Sequence, residues 1–216
     1  MHCDESDDPL SRHIETLAFH AHRTGLEDRV AGSHLTSMHS MDNYYVSKLM
    51  PLMAEARIHV VAHPLFNITL LGRHDTYPRR RGMTSVKELL QAGINVVSSS
   101  MVMLVDPDCP VPPFVDPLRE GCEAGGVSFF TSGIDPGFAN DTLPLMLTGL
   151  SEHWSHVRMQ EIVNYATYDQ ADTVMNVMGF GQALDAKPYL LQPGVLSLAW
   201  GGTIRAVAKG LGVALD

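Results

Sequence analysis

Ile58-His59-Val60-Val61-Ala62, closed by His63-Pro64, decides how the chain folds. The run is too short for a helix and too rich in β-branched residues for a loop, so it reads as a buried strand. Pro64 removes a backbone donor and ends it. On its N-terminal side, Asp42 to Ala56 places Val46, Leu49, Met50 and Met53 at helical spacing, with Pro51 as a kink. On its C-terminal side, Ser85 caps a helix through Leu90, and Gly93 leads into a second short strand, Ile94–Ser98. Further upstream, Pro9 to Thr24 carries Leu10, Ile14, Leu17 and Ala18 at helical spacing before the strand Arg29–His34. Helices alternating with short apolar strands are the signature of a parallel α/β sheet, expected here to be open with helices on both faces.

The alternation continues toward the C-terminus. Val115–Ala124 reads as a helix, Val127–Thr131 as a strand, and Ala139 to His153 as a helix entered through the turn Ser132–Gly137. Val157–Tyr165 alternates over a longer span and reads as a strand with one exposed or interfacial face. Leu196 to Leu211 is expected to be a helix interrupted at Gly201-Gly202.

Composition bounds the function. Of 216 residues, 45% are hydrophobic and 18% charged, as in an ordinary globular protein. The net charge of −9 argues against nucleic acid or an anionic membrane as partner. No apolar run reaches the roughly 18 to 20 residues of a membrane span, and the acidic start is unlike a signal peptide. Three scattered cysteines fit a reducing compartment, so the cytoplasm is the expected location. Residues 1–97 hold nine of the eleven histidines, whereas residues 98–216 hold thirteen acids against five Lys and Arg. The two segments differ in character, which marks 1–97 and 98–216 as separate domains or separate origins.

Two histidines stand where such a sheet carries chemistry. His2 and His34 close successive strands, and side chains at the carboxyl ends of parallel strands converge on one face. Glu5 follows His2 by three residues and can reach a water on a bound cation. Neutral imidazole suits Zn²⁺ or Fe²⁺, and a nearby carboxylate can move a proton. The same histidines could equally be plain polar residues at the mouth of a sheet. His13, His20 and His22 read as solvated helix residues, His39 and His63 as strand-end residues that could line a pocket but need no role, and Arg79-Arg80-Arg81 as a solvated charge run with Asp75 nearby.

The runs HCDESDDPLSRHIET (2–16), SHLTSMHS (33–40), AHPLFNITLLGRHDTYPRRRGMTSVKELL (62–90) and AGINV (92–96) strongly resemble cytosine deaminases, metal-dependent amidohydrolases with a TIM-like barrel. The resemblance implies a partial barrel of late βα units. It implies that His2 is a metal ligand, that Glu5 shuttles a proton from metal-bound water to a pyrimidine ring, and that His34 assists the attacking hydroxide. The family also uses an HxH pair on its first strand and an Asp after its eighth. The HxH triplet His20-Ala21-His22 falls in a helical stretch, and Ile94–Val97 runs on into Ser98-Ser99-Ser100-Met101, with Asp106 too distant to substitute. The implied divalent metal is therefore expected to bind poorly and the chain to be an inactive remnant.

From about residue 95, NVVSSSMVMLVDP, SFFTSGIDPGFANDTLPLMLTGL, VRMQEIVNYATYDQ and MGFG resemble the dihydrodipicolinate-reductase-like NAD(P)-dependent dehydrogenases, near diaminopentanoate dehydrogenase. That resemblance implies a partial Rossmann-like lobe and NAD(P), yet the sequence has no GxGxxG loop, so the nucleotide is not expected to bind well. The chain thus looks like a composite of two partial enzymes, joined within Gly93–Val97. Three readings follow: an amidohydrolase remnant for a pyrimidine-like substrate, an oxidoreductase segment, or a non-catalytic α/β protein that self-associates through exposed sheet edges.

Overall fold

The computed structural model describes residues 1–64, 67, 82–99 and 101–215. They form two compact units, Met1–Met101 with Pro110–Ser132, and Val102–Cys109 with Gly133–Asp216.

The first unit holds one parallel sheet in the order β1 (His2–Cys3), β2 (Ala31–His34), β3 (His59–Ala62), β4 (Val96–Ser98) and β5 (Phe129–Thr131). Between them lie α1 (His13–Thr24), α2 (Asn43–Glu55), α3 (Val86–Gln91) and α4 (Pro112–Gly125). Strand order equals chain order, without the reversal of a doubly wound sheet. Right-handed crossovers between such neighbours put every helix on the same face. The expectation of helices on both faces is corrected accordingly, and the arrangement is that of a barrel segment.

Register makes the two faces explicit. Gly32, Val60, Val96 and Phe129 share a row, as do His2, Ser33, Val61, Val97 and Phe130. The first row faces the helices, with Val60 and Val96 at 0% and 1% exposure among Ile14, Met53, Leu89 and Leu90. A Cβ at Gly32 would stand 2.8 Å from the Ile14 side chain, so glycine there lets α1 close on the sheet. The second row opens from buried Ser33 to Phe130 at 61%, the face that a closed barrel turns inward. Each fully buried aliphatic side chain contributes about 1.5–3 kcal/mol.

The sheet runs without a break through the residues where the sequence resemblance changes. The boundary at 97/98 falls inside β4, and β5, the strand expected to belong to a Rossmann-like lobe, pairs with β4 in the same sheet. α4 packs on α3 through Gly121 and Gly125, where a Cβ on Gly125 would meet the Leu90 carbonyl oxygen at 1.9 Å.

The second unit is helical and irregular. It contains a 3-10 turn at Val102–Val105, α5 (Thr142–Thr148), a π-helical turn at Thr173–Val177, and α6 (Val195–Leu211). Among the described residues it has no strand, only a bridge between Ile134 and Gly137. Gly137, at φ 141°, crowds Gly133 too closely for any side chain. The helix expected over Ala139–His153 shortens to α5 because Asp141 caps it late and it stops at Gly149. The strand expected over Val157–Tyr165 does not form; no neighbouring strand takes its backbone groups, and Ile162 is 95% exposed. α6 passes straight through Gly201-Gly202, because buried Gly202 sits against the backbone of Asp106.

Candidate active site at the carboxyl ends of the strands

His2 ends its strand and is followed by a tight turn in which Asp4 takes φ 54°. The turn is fixed by the buried Asp4 carboxylate. Its Oδ1 accepts from the Ser11 hydroxyl (2.9 Å) and the His13 N–H (2.8 Å), and its Oδ2 accepts from the Ile14 N–H (2.9 Å). Asp4 thus supplies the start of α1 with the acceptor that Arg12, at its N-cap, does not. His13 is exposed, as expected, and also places Nδ1 2.8 Å from Asp4 Oδ1. The Asp4 carbonyl accepts from both the N–H (3.0 Å) and the hydroxyl (2.8 Å) of Thr36, which ties this turn to the one leaving β2.

β2 ends in a pair of left-handed residues, His34 at φ 77° and Leu35 at φ 53°. Non-glycine residues hold such conformations only when their surroundings fix them, and they cluster at functional sites. Here the Thr84 hydroxyl donates to the His34 carbonyl at 2.5 Å, and the Leu35 N–H donates to the Cys3 carbonyl at 3.2 Å.

These turns bring His2, Glu5 and His34 together. His2 Nδ1 lies 2.8 Å from His34 Nε2 and 3.3 Å from Glu5 Oε1, and His34 Nε2 lies 3.8 Å from the same oxygen. His34 is buried, whereas His2 and Glu5 are exposed. His63 closes the next strand with its ring centroid 5.1 Å from that of His34, and its Nδ1 is 3.0 Å from the Ser99 hydroxyl beyond β4. The carboxyl ends of β1 to β4 therefore present one continuous polar row. Burial foremost, and then the His34 and His2 rings, hold the His63 imidazole below its ordinary value.

The donor set fits a divalent cation. Metal–donor bonds of about 2.0–2.2 Å separate adjacent donors by roughly 3–3.5 Å, and His2, Glu5 and His34 present one ligand atom each within 4.8 Å of one another. Two imidazoles and a carboxylate suit Zn²⁺ or Fe²⁺. Sequence reasoning left His2 as a lone imidazole ligand; the fold gives it two neighbours. The triplet His20–His22 lies on α1, where His22 Nδ1 is 3.2 Å from Glu27. Asp106 is bound to Arg205 and Lys209. Asp75 and Arg79-Arg80-Arg81 fall outside the described residues.

His34 Nδ1 also lies 2.8 Å from the Asn67 side-chain oxygen, and two residues of this site, Asp4 and Asn67, were not singled out from sequence. His63 carried the signal of a His-Pro pair closing a strand. Asp4 and Asn67 carried none, since each is defined by partners distant in the chain.

Among relatives, an amine dehydrogenase of Streptomyces virginiae is 42% identical over 134 residues, which is 62% of this chain and 37% of that protein. A pterin deaminase of Rhizobium rhizogenes (strain K84 / ATCC BAA-868) is 32% identical over 101 residues, 46% of this chain and 23% of that one. The chain thus spans well under half the length of both. Crystal structures of 5-methylcytosine deaminase from Klebsiella pneumoniae, with 5-fluorocytosine or phosphonocytosine, are 40% identical. They cover 57% of this chain and 31% of that one, at a TM-score of 0.43. Among the described residues no helix is long and apolar enough to cross a membrane. Residues 1–115, more than half of the chain and including the whole His2, Glu5 and His34 cluster, match the amidohydrolase family, and the chain belongs to that family.

Proposed function

We propose that this chain carries part of a hydrolytic deaminase site acting on an amino-bearing, pyrimidine-like ring. His2 is the metal-binding imidazole, and Glu5 and His34 are the proton-handling pair. The observation that carries this reading is the convergence of those three side chains at adjacent strand ends within an amidohydrolase sequence. The substrate class follows two relatives whose names, 5-methylcytosine deaminase and pterin deaminase, denote loss of ammonia from a nitrogen heterocycle.

A divalent cation held at His2, with His34 and Glu5 as neighbouring donors, would supply Lewis acidity and water activation at neutral pH. Glu5 is exposed and has one carboxylate oxygen within 3.8 Å of both imidazoles, so it can take up a proton and release it to a ring nitrogen. His34 is buried and held at both its backbone and its Nδ1, so its Nε2 keeps a fixed direction toward that carboxylate.

Within these residues the HxH triplet lies on α1 and no acid follows β4 directly, so His2, Glu5 and His34 by themselves are expected to hold the cation weakly. Zn²⁺ titration and ammonia release from cytosine test the proposal together. Cation uptake lost in His2→Ala supports it. Any cation-dependent ammonia release should fall about 100-fold or more in Glu5→Gln. A folded chain that takes up neither Zn²⁺ nor Fe²⁺ overturns it.

A second reading concerns residues 98–216. The amine dehydrogenase likeness spans 134 residues and so cannot be contained within the 115 matched to the amidohydrolase family. A dehydrogenase lineage for that segment is a second proposal, resting on that relative's name, and NAD(P) rests on the sequence resemblance alone. Saturable quenching of Trp154 and Trp200 fluorescence by NADPH would bear this out, and a flat titration would remove it.

A further inference from the structure

Asn67 is 1% exposed and sits one turn beyond β3, its backbone N–H donating to the His63 carbonyl at 2.9 Å. Its Oδ1 lies 2.8 Å from His34 Nδ1, while its buried Nδ2 has no hydrogen-bond partner among the described residues. A leucine would fill the same space without leaving an amide donor unpaired. What the carboxamide adds is an acceptor for a ring N–H.

That acceptor decides the chemistry of the other ring nitrogen. Oδ1 can only accept, so His34 Nδ1 must carry the proton, and in the neutral ring Nε2 is then a lone pair. Nε2 is the atom that faces His2 Nδ1 and Glu5. At 2.8 Å the two imidazole nitrogens need one proton between them, and with His34 Nε2 unprotonated it resides on His2 Nδ1. His2 is exposed and can exchange that proton with solvent onto its other nitrogen, whereas buried His34 cannot.

We infer that Asn67 is the positioning residue of this site: its carboxamide locks His34 in the Nδ1–H tautomer, leaving Nε2 as a fixed lone pair that faces His2 and Glu5, where a divalent cation would be held. His34 is the fixed member of the pair and His2 the adjustable one. The inference rests on the metal-site reading above for its purpose, but its first test needs no metal.

Long-range ¹H–¹⁵N NMR of the His34 ring in the metal-free full chain reads the tautomer directly. The wild type should show Nδ1–H. Asn67→Asp keeps an acceptor and should keep that tautomer; Asn67→Leu should shift the ring toward Nε2–H. Zn²⁺ affinity should fall about 10- to 100-fold in Asn67→Leu and stay within about tenfold in Asn67→Asp. A wild-type ring protonated at Nε2, or an Asn67→Leu ring still held at Nδ1–H, overturns the inference. If Asn67→Leu does not fold, the wild-type tautomer and Asn67→Asp decide it: Nδ1–H in both supports it, and Nε2–H in either overturns it. Expected tautomers without any Zn²⁺ uptake would support the positioning role while overturning the metal-site reading.

Discussion

Asp106 shows how one residue sets a pH dependence. Its side chain is fully buried, with Arg205 Nε 2.5 Å from Oδ2 and Lys209 Nζ 2.7 Å from Oδ1. Burial alone would raise its carboxyl, but the hydrogen bonds from Lys209 and Arg205 outweigh that and hold it below the ordinary 3.8. A depressed carboxylate pKa means the unfolded chain binds more protons in that window. The stabilisation is therefore complete above pH 3.8 and is lost as pH falls through the folded value. His63, held below 6.5, has the same sign: the folded chain binds its proton less readily than the unfolded one, so acidification below 6.5 costs stability. Urea midpoints measured against pH should fall in both windows. Asp106→Asn should flatten the more acid one and lower stability at neutral pH by about 2 kcal/mol. An unchanged acid limb would show that the Asp106 cluster does not hold in solution.

The contact between α3 and α4 settles how the chain continues across the change in sequence character. The helix before residues 93–97 and the helix after them approach so closely that only glycine fits at residue 125, 1.9 Å from the Leu90 carbonyl oxygen by its would-be Cβ and 3.0 Å from the Gly93 nitrogen. A backbone atom cannot step aside as a side chain can. Gly125→Ala should lower the thermal midpoint by the equivalent of about 3 kcal/mol. Gly126→Ala, with nothing near its Cβ but φ at 64°, should cost only about 1 kcal/mol. Equal effects at the two positions would mean that the helices do not pack this closely.

At the scale of the molecule, the buried apolar core lies almost entirely in the first unit. The second contributes Cys109, Val207 and Ala208, while Leu150, Ile162 and Leu184 are exposed at 84% or more. Local stability follows buried contact, so the second unit should unfold first. Trp154 and Trp200 both belong to it, whereas far-UV circular dichroism reports both units. In urea the fluorescence transition should therefore precede the dichroism transition; coincident transitions would indicate a single cooperative unit. The open edge at β5, with Phe130 61% exposed, also leaves self-association as a proposal, to be read from light scattering over a range of concentrations.

The sequence by itself determined what local chemistry can specify. Val60-Val61 before a proline, and Val96-Val97 after a glycine, are strands wherever they pack, and the spacing of Leu49, Met50 and Met53 is helical in any context. The residues His2, Glu5 and His34 were legible in the same way, as strand-end imidazoles with a carboxylate close behind. Tertiary structure alone decided what depends on a distant partner. Val157–Tyr165 has the pattern of a strand but no neighbour to bond, so it stays irregular. Phe129–Thr131 extends the sheet of the first unit because β4 presents a free edge to it. Asp4 and Asn67 look like ordinary polar residues until folding delivers the start of α1 to one and the His34 ring to the other. Apolar periodicity is local and survives in the sequence; hydrogen-bond partnership across 30 or more residues exists only once the chain has closed.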